Sequence, residues 1–445
     1  MVMKTRLVRV LIVGCLIGLS GVIAGESEKK VLSDEGGELV ISRQAYAEGL
    51  QGFWLAQCIA NWTGLITEMD KIEAPFYTDE NWGGPDEPNI WGGSGLSPTI
   101  DFFLVGKDET WGADDDTDLE YLYQYRHELT GASKLSPEQI RDGWLEHLWS
   151  DNYNKDGENF LWVSNENALE LMRKGHLPPE TSDPKLNPDF EMIDAQLTTE
   201  IFGLFAPGRP EVALDLAKLP IGTSARENAR WAAEFYVIMH ALAVGVDRKG
   251  AVRDQVFEMA AEARAQVPDD SVIASMYDYV KAEYEANPDK SDWERTRDGL
   301  YEEYQLGGRG GYVYAKSFDA AINFGASMVS LFYGEGDLKR TIQIGVLAGW
   351  DSDNPTATWA GLLGFILGRS GVEEAFGTDD LSETYRISRT RRNFPDRTPG
   401  REGEDTFPMM AERGLGVIDR IVTEQLNGRV DRTLGRWIIP STAGE

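Results

Sequence analysis

Three observations predict an all-α fold. Apolar residues recur at helical spacing from residue 43 to residue 368, strand-like alternation is scarce, and two helical segments carry small residues at intervals of four. Gly52, Ala56, Ala60 and Gly64 form one such row; Ala360, Gly364 and Gly368, beside Ala357 and Gly361, form the other. Residues four apart share a helix face, so each row lacks bulk and lets a neighbouring backbone come close. Both helices are therefore expected at the centre of the molecule. No Pro/Ser/Gly linker interrupts the helical series, so residues 42–376 are read as one large domain and residues 377–445 as a helical C-terminal extension containing an arginine-rich stretch at 386–405.

The chain opens with Lys4, Arg6 and Arg9, an apolar run from Val10 to Ala24, and small residues at its exit. That is the layout of a secretory signal peptide, expected to be cleaved near residue 25. The run is too short for a convincing membrane span. Ile12-Val13-Gly14-Cys15 is similar to a lipoprotein box, which leaves a lipid anchor as the alternative. A secreted or periplasmic location follows in either case. Residues 26–41, polar and glycine-rich, are read as a linker.

Once the signal is removed, Cys58 is the one cysteine left, so no intramolecular disulfide is expected. The net charge of −31 argues against nucleic-acid binding, and against membrane attachment beyond export or a lipid anchor.

Helices are expected near residues 43–60, 118–130, 136–149, 165–174, 190–203, 209–218, 225–245, 250–265, 272–286, 292–303, 317–332, 338–349 and 356–368. The first ends at Gly64 and delivers Glu68 into the following loop. Residues 75–112 form a long loop with Trp82, Trp91 and Trp111, whose faces suit sugars or bases, or fasten the loop to its own domain.

Two acidic clusters precede predicted helices. In the first, Thr117 and Glu120 have capping-box spacing behind Asp114, Asp115 and Asp116. In the second, Asp351 and Asp353 lie just before an Asn354 N-cap and a Pro355 at the first helical position. A helix dipole favours a nearby anion by only about 0.3–1 kcal/mol, too little to explain carboxylates packed between apolar walls. A bound cation would explain them, and hard oxygen donors without His or Cys select Mg²⁺, Mn²⁺ or Ca²⁺; with 74 acidic residues in the chain, accidental clustering is the alternative. An EF-hand does not fit, because Leu362 stands at the twelfth position of the Asp351 loop, where a glutamate is needed. His127, His147, His176 and His240 have no ligand spacing, and Gly307 to Gly311 reads as a flexible turn.

These residues resemble the ADP-ribosylglycohydrolases. Gly349 to Gly364 is similar to the family's C-terminal acidic signature and its small-residue helix. Gly52 to Glu68 is similar to the N-terminal signature, and Asp114 to Thr117 to the middle one. Arg173 to Pro179, Asn187, Ile193 to Gln196 and Ala206 to Pro210 resemble a secreted branch.

The resemblance implies a compact multi-helix domain with two Mg²⁺ or Mn²⁺ ions that cleaves a glycosidic bond at a ribose. Asp114, Asp115, Asp116, Asp351, Asp353 and Asn354 then match the metal ligands, Glu68 the catalytic carboxylate, and Asn61, Asn187 and Gln196 face the substrate. Asn61 stands where the family has Asp, and the mid-chain Thr/Ser-His pair is replaced by about Ser224-Ala225. The expected substrate is an ADP-ribosyl compound, another small molecule or a glycan. A furanosidase of extracellular glycans and a catalytically silent sugar- or nucleoside-binding protein stay open as alternatives.

Overall fold

The computed structural model describes residues 30–35, 37–93, 96–112, 114–148, 161–386, 393–394, 397 and 404–440. The expected signal peptide over residues 1–25 lies outside them.

The chain is organised by two long helices, α1 (Arg43–Gly64) and, near the other end of the domain, Asp353–Phe376, which is kinked at Gly368 (φ 73°, ψ 166°). They pack along one another more extensively than any other two elements. The small-residue rows make this possible. A Cβ on Gly52 would lie 2.2 Å from the Gly364 carbonyl oxygen, and a Cβ on Gly364 2.3 Å from that of Gly52. Nothing larger than glycine fits that crossing.

Around this pair the chain places α2 (Asp115–Thr130), α3 (Pro137–His147) and α4 (Val163–Arg173). There follow the short α5 (Ile201–Phe205), then α6 (Pro210–Ser224), α7 (Glu227–Leu242), α8 (Val252–Arg264) and α9 (Val272–Ala286). After α10 (Glu294–Leu300), the apolar α11 (Ala320–Gly334) and α12 (Leu338–Ala348) lead into α13, the central Asp353–Phe376 helix. Every residue of α11 is buried, and it carries no charged residue that would need solvent. The fold is all-α, as the periodicity predicts.

Several local expectations are corrected. The helix expected over 190–203 is a 3-10 turn at Ile193–Ala195 followed by α5. There Thr198 and Thr199 donate their hydroxyls to the Asp194 and Ala195 carbonyls, at 2.8 and 2.7 Å, within a turn-rich segment. The expected capping box at Thr117 does not form. Asp114 is the N-cap of α2, and Glu120 turns inward to other partners. Helix α13 begins at Asp353 with Ser352 as its N-cap, so Asn354 sits inside the first turn.

The linker expected over 26–41 is overturned in its described part. Residues Val31–Glu35 (β1) and Glu38–Ser42 (β2) are strands, because Ile41 is an apolar residue with a buried place to fill. The extension after residue 377 is only partly helical: β3 (Thr384–Arg386) pairs with β4 (Glu404–Thr406), and α14 (Phe407–Glu424) is followed by β5 (Arg429–Asp431) and β6 (Arg436–Pro440). Strand β6 runs antiparallel to β2, with Ile41 opposite Trp437, giving a sheet ordered β1-β2-β6-β5. Both ends of the described chain are therefore joined against α1. Arg43 reinforces the join with paired bonds of 2.9 Å to Asp419, which also accepts from the Trp437 indole at 2.7 Å.

Candidate functional site

Helix α1 ends at Gly64, where a Cβ would lie 2.2 Å from the Asp353 Cα, so the start of α13 is seated directly on the end of α1. Three hydroxyl bonds fix this seat: Ser352 to the Gly64 carbonyl at 3.1 Å, Thr67 to the Val346 carbonyl at 2.7 Å, and a 3.0 Å contact between the two hydroxyls. The turn after Gly64 then brings Glu68 beside Asp351 and Asp353. One carboxylate oxygen from each lies within 4.8 Å of the other two.

The first turn of α2 faces the same centre. Asn61, on the last turn of α1, donates to Asp116 Oδ2 at 3.0 Å and to Asp353 Oδ2 at 3.3 Å. Asn354 donates to Asp116 Oδ1 at 3.2 Å and accepts from Gln196 at 3.3 Å. Asp351 is aligned by its backbone N–H, which donates to Asn323 at 3.1 Å.

These carboxyls are buried together, which penalises ionisation twice. Burial first, then the charge of Asp114, pushes Asp353 up to about 6. Asp351 is held well above the usual carboxylate range by burial, then by Asp353 and Glu68. Burial raises Asp115 and Asp116 as well, followed by the charges of Asp114 and Asp353 respectively. Asp353 Oδ1 and Asn61 Oδ1 are buried oxygens with no hydrogen-bond donor. Crowded carboxylates plus unused oxygen lone pairs form a donor set suited to a hard divalent cation.

A cavity of about 280 Å³ opens over this centre, lined by Glu68, Asp114, Asp115, Asp116, Asp351 and Asp353. Three residues expected to face substrate do not line it. Asn61 is buried beneath the carboxylates as their hydrogen-bond donor. Gln196 sits behind Asn354. Asn187 is fully buried elsewhere, donating to the Ser164 and Thr181 carbonyls and accepting from Asn167, so its amide is used in fastening loops. Asn354, expected among the metal ligands, is likewise behind the lining, its oxygen engaged by Gln196.

Other lining residues were not expected among the metal, catalytic or substrate residues. Asp194 contributes a seventh carboxyl, pushed up to about 6 by burial although the Asn165 N–H donates to it. Its position among Met192, Ile193 and Ala195, an acid in an apolar stretch, was the available signal. Trp91, Trp162 and Phe318 also line the cavity. Of the other tryptophans in the long loop, Trp111 is a fully buried core residue and Trp82 packs on Phe102, so the loop divides between anchoring and lining. The Gly307 to Gly311 turn does not line the cavity.

Residues 42–403 match the family described as ADP-ribosylglycohydrolase. Among curated proteins none matches the chain. A solved structure described as an ADP-ribosylglycohydrolase-related protein complex is similar at 14% identity with a TM-score of 0.48, covering 84% of this chain and 98% of that one.

Proposed function

Because the chain belongs to the ADP-ribosylglycohydrolase family, we propose that it is a hydrolase of a ribosyl-type glycosidic bond, dependent on Mg²⁺ or Mn²⁺ held at the carboxylate centre. The observation that carries this reading is the convergence of Glu68, Asp351 and Asp353 within 4.8 Å at the floor of a cavity, facing Asp115 and Asp116. Asp351 and Asp353, with Asp114, Asp115 and Asp116, would hold the cations. A divalent cation bound there supplies Lewis acidity toward the oxygens of sugar and water.

The chain's own residues have separable tasks. Asp351 and Asp353 are immobilised by the Ser352, Thr67 and Asn323 bonds, so they do not follow the substrate. Asn61 holds Asp116 and Asp353 in one orientation by donating to both. Glu68, the half-exposed member of its trio, accepts a proton from water as the water oxygen bonds to the anomeric carbon. The bond to the leaving group breaks with its electron pair going to the leaving atom, which takes a proton from solvent, and Glu68 gives up the proton it accepted to solvent, so that one water is consumed in all. Export through residues 1–25 belongs to the same proposal, and N-terminal sequencing of the mature protein should begin near residue 25.

The decisive assay is hydrolysis of furanosides and of ADP-ribosylated peptide with Mg²⁺ or Mn²⁺ and with EDTA. Turnover that EDTA abolishes and that Asp353→Asn impairs is expected. Ligand binding without any turnover would make the chain a silent binding protein instead.

A further inference from the structure

Helix α10 does not end the winding of its segment at Leu300; the chain continues as a π-helical turn, Tyr301–Leu306. Turns of this kind are rare and recur at functional sites. At 3.6 residues per turn, Gln305 would lie about 80° round the axis from Arg297, eight residues earlier. The wider i→i+5 winding lowers the rotation per residue and carries Gln305 back toward the face that holds Arg297 and Tyr301. All three side chains reach the same two segments, the loop that follows Glu68 and the turn that precedes Asp351.

Arg297 is buried while its ion-pair partner Asp298 is exposed, and backbone carbonyls satisfy the rest of its guanidinium. It donates to the Tyr77 carbonyl at 2.9 Å on the first segment, and to those of Leu347 and Ala348 at 3.2 and 3.3 Å on the second. Leu347 and Ala348 end α12, where a cation also suits the negative end of the helix dipole. The same guanidinium lies 4.5 Å from the centroid of Phe76, a ring that meets Tyr301 edge-on at 5.2 Å and Trp350 at 4.9 Å. Gln305 completes the row. Its amide donates to the Ile72 carbonyl at 2.9 Å and accepts from the Trp350 indole at 2.8 Å.

The junction of the two segments has no slack. Gly349 has φ 97°, and a Cβ there would lie 2.6 Å from the Lys71 carbonyl oxygen and 2.7 Å from the Phe76 ring. The Trp350 N–H donates to that same Lys71 carbonyl at 2.8 Å. Ile72 is the next residue after Lys71, and Trp350 the one before Asp351, so a shift at either end of the Gln305 amide is passed toward a carboxylate of the centre.

We infer that Gln305 is a positioning residue for the carboxylate centre, its amide spanning from the π-helical turn to the segment that carries Glu68 and to the segment that carries Asp351. The inference rests on the hydrolase reading for its kinetic consequence alone; the bridge also acts on the protein without metal or substrate.

Gln305 is only partly buried, so Gln305→Met removes both bonds at nearly constant volume and opens no core cavity. Tyr304→Phe is the control on the same turn, because the Tyr304 hydroxyl bonds to Ser275 of α9 and to neither site segment. Amide hydrogen exchange in EDTA, read by mass spectrometry, should quicken about tenfold over residues 69–72 and 349–351 in Gln305→Met. Calorimetric titration with Mg²⁺ should give a Kd raised about three- to tenfold, since a ligand set that must be re-ordered binds more weakly. On whichever furanoside or ADP-ribosyl compound the wild type turns over, kcat should fall about tenfold with KM changed less than about twofold. Tyr304→Phe should lower the melting temperature and leave all three readouts at wild-type values. Wild-type exchange in Gln305→Met would overturn the inference. Faster exchange with unchanged Mg²⁺ affinity and kcat would also overturn it, leaving Gln305 as a fastening of the fold, and so would equal effects of Tyr304→Phe. Quickened exchange and weakened Mg²⁺ binding in Gln305→Met alone, with no turnover by any of the proteins, would support the inference and defeat the hydrolase reading.

Discussion

Met69 and Trp350 are two bulky residues in the left-handed region, with φ of 60° and 57°, and the Met69 N–H donates to the Trp350 carbonyl at 2.9 Å. A further backbone bond runs from the Trp350 N–H to the Lys71 carbonyl at 2.8 Å, so the two turns are buttoned together. Each such conformation costs on the order of 1–3 kcal/mol and needs its surroundings to hold it. Both side chains are fully buried, and the Trp350 indole donates to Gln305 at 2.8 Å. The result is that Glu68, one residue before Met69, and Asp351, one residue after Trp350, are presented side by side.

Glu68→Gln keeps the volume of the side chain and removes its charge. If Glu68 moves a proton, turnover should fall ~10²–10⁴-fold while the fold and the thermal gain on adding Mg²⁺ persist. Steady-state kinetics with a parallel melting series measures both. Full activity in the variant would remove the assigned role, and a lost metal response with turnover restored at high Mg²⁺ would make Glu68 a ligand only.

Metal should stabilise the protein, because binding to the native state alone contributes RT ln(1 + [L]/Kd), about 2.7 kcal/mol at a hundredfold excess over Kd. Asp353→Asn should lose most of that gain. In EDTA the same variant should be at least as stable as wild type, since it relieves the repulsion that raises Asp353 and its neighbours. Melting temperatures of both proteins with Mg²⁺, Mn²⁺ and EDTA check this; identical melting curves under all three conditions would exclude a cation at this centre.

Gly64→Ala should disturb the centre without touching a charge. Its Cβ would lie 2.2 Å from the Asp353 Cα, so the start of α13 must shift. Overpacking of this kind costs typically about 1–3 kcal/mol. Gly416→Ala is the control: it lies inside α14 with nothing within 4 Å of the added Cβ, and should be neutral or stabilising by about 0.5–1 kcal/mol. Denaturant unfolding gives the stabilities, and the Mg²⁺-induced rise in Tm should shrink in Gly64→Ala alone.

What could be read from sequence was what is encoded locally. The glycine rows announce the α1–α13 crossing because a row at intervals of four is a property of one helix face. Asp351 and Asp353 could be placed because the apolar runs around them are contiguous. Trp162 and Phe318 had no local mark, and Trp91 and Asp194, though each lies in a segment the sequence singles out, could not be joined to the carboxylates, since their meeting depends on tertiary contacts between distant segments. The strands escaped for a different reason: β2 and β6 have five residues each, too few for alternation to stand out, and they are stabilised by pairing between the two ends of the described chain. Asn61 and Asn187 show the limit of motif transfer, because a buried amide among carbonyls and carboxylates is a structural donor wherever the motif suggests a ligand contact.

Beneath the centre, Glu120 and Glu200 form a second, fully buried carboxyl pair. Glu120 accepts from Gln57 of α1 and from the Ile201 N–H, both at 2.8 Å, and Glu200 accepts from Thr358 of α13 at 2.7 Å. The pair thus joins α1, α2, α5 and α13, the elements that carry or flank the site. Burial pushes Glu200 up to about 7, and burial followed by the Glu200 charge raises Glu120 well above the usual range. A carboxyl whose folded pKa lies above its unfolded value binds more protons in the folded state. Its contribution is therefore complete below an unfolded pKa of about 4.3 and is lost as pH rises through the folded value near 7. Glu200→Gln removes the Glu200 part of that dependence; its amide oxygen can still accept from Thr358, while the bond from the Thr199 N–H to the other oxygen, 3.2 Å, is lost at every pH. Relative to wild type, the variant should gain roughly 1–3 kcal/mol between pH 5 and pH 8. His127 and His240, buried neutral with their pKa lowered to about 4, impose the opposite slope on both proteins and cancel in the difference, as does the metal centre in EDTA. Urea unfolding of the two proteins at pH 5, 6, 7 and 8 measures it; parallel stability curves would mean that the pair holds no shared proton.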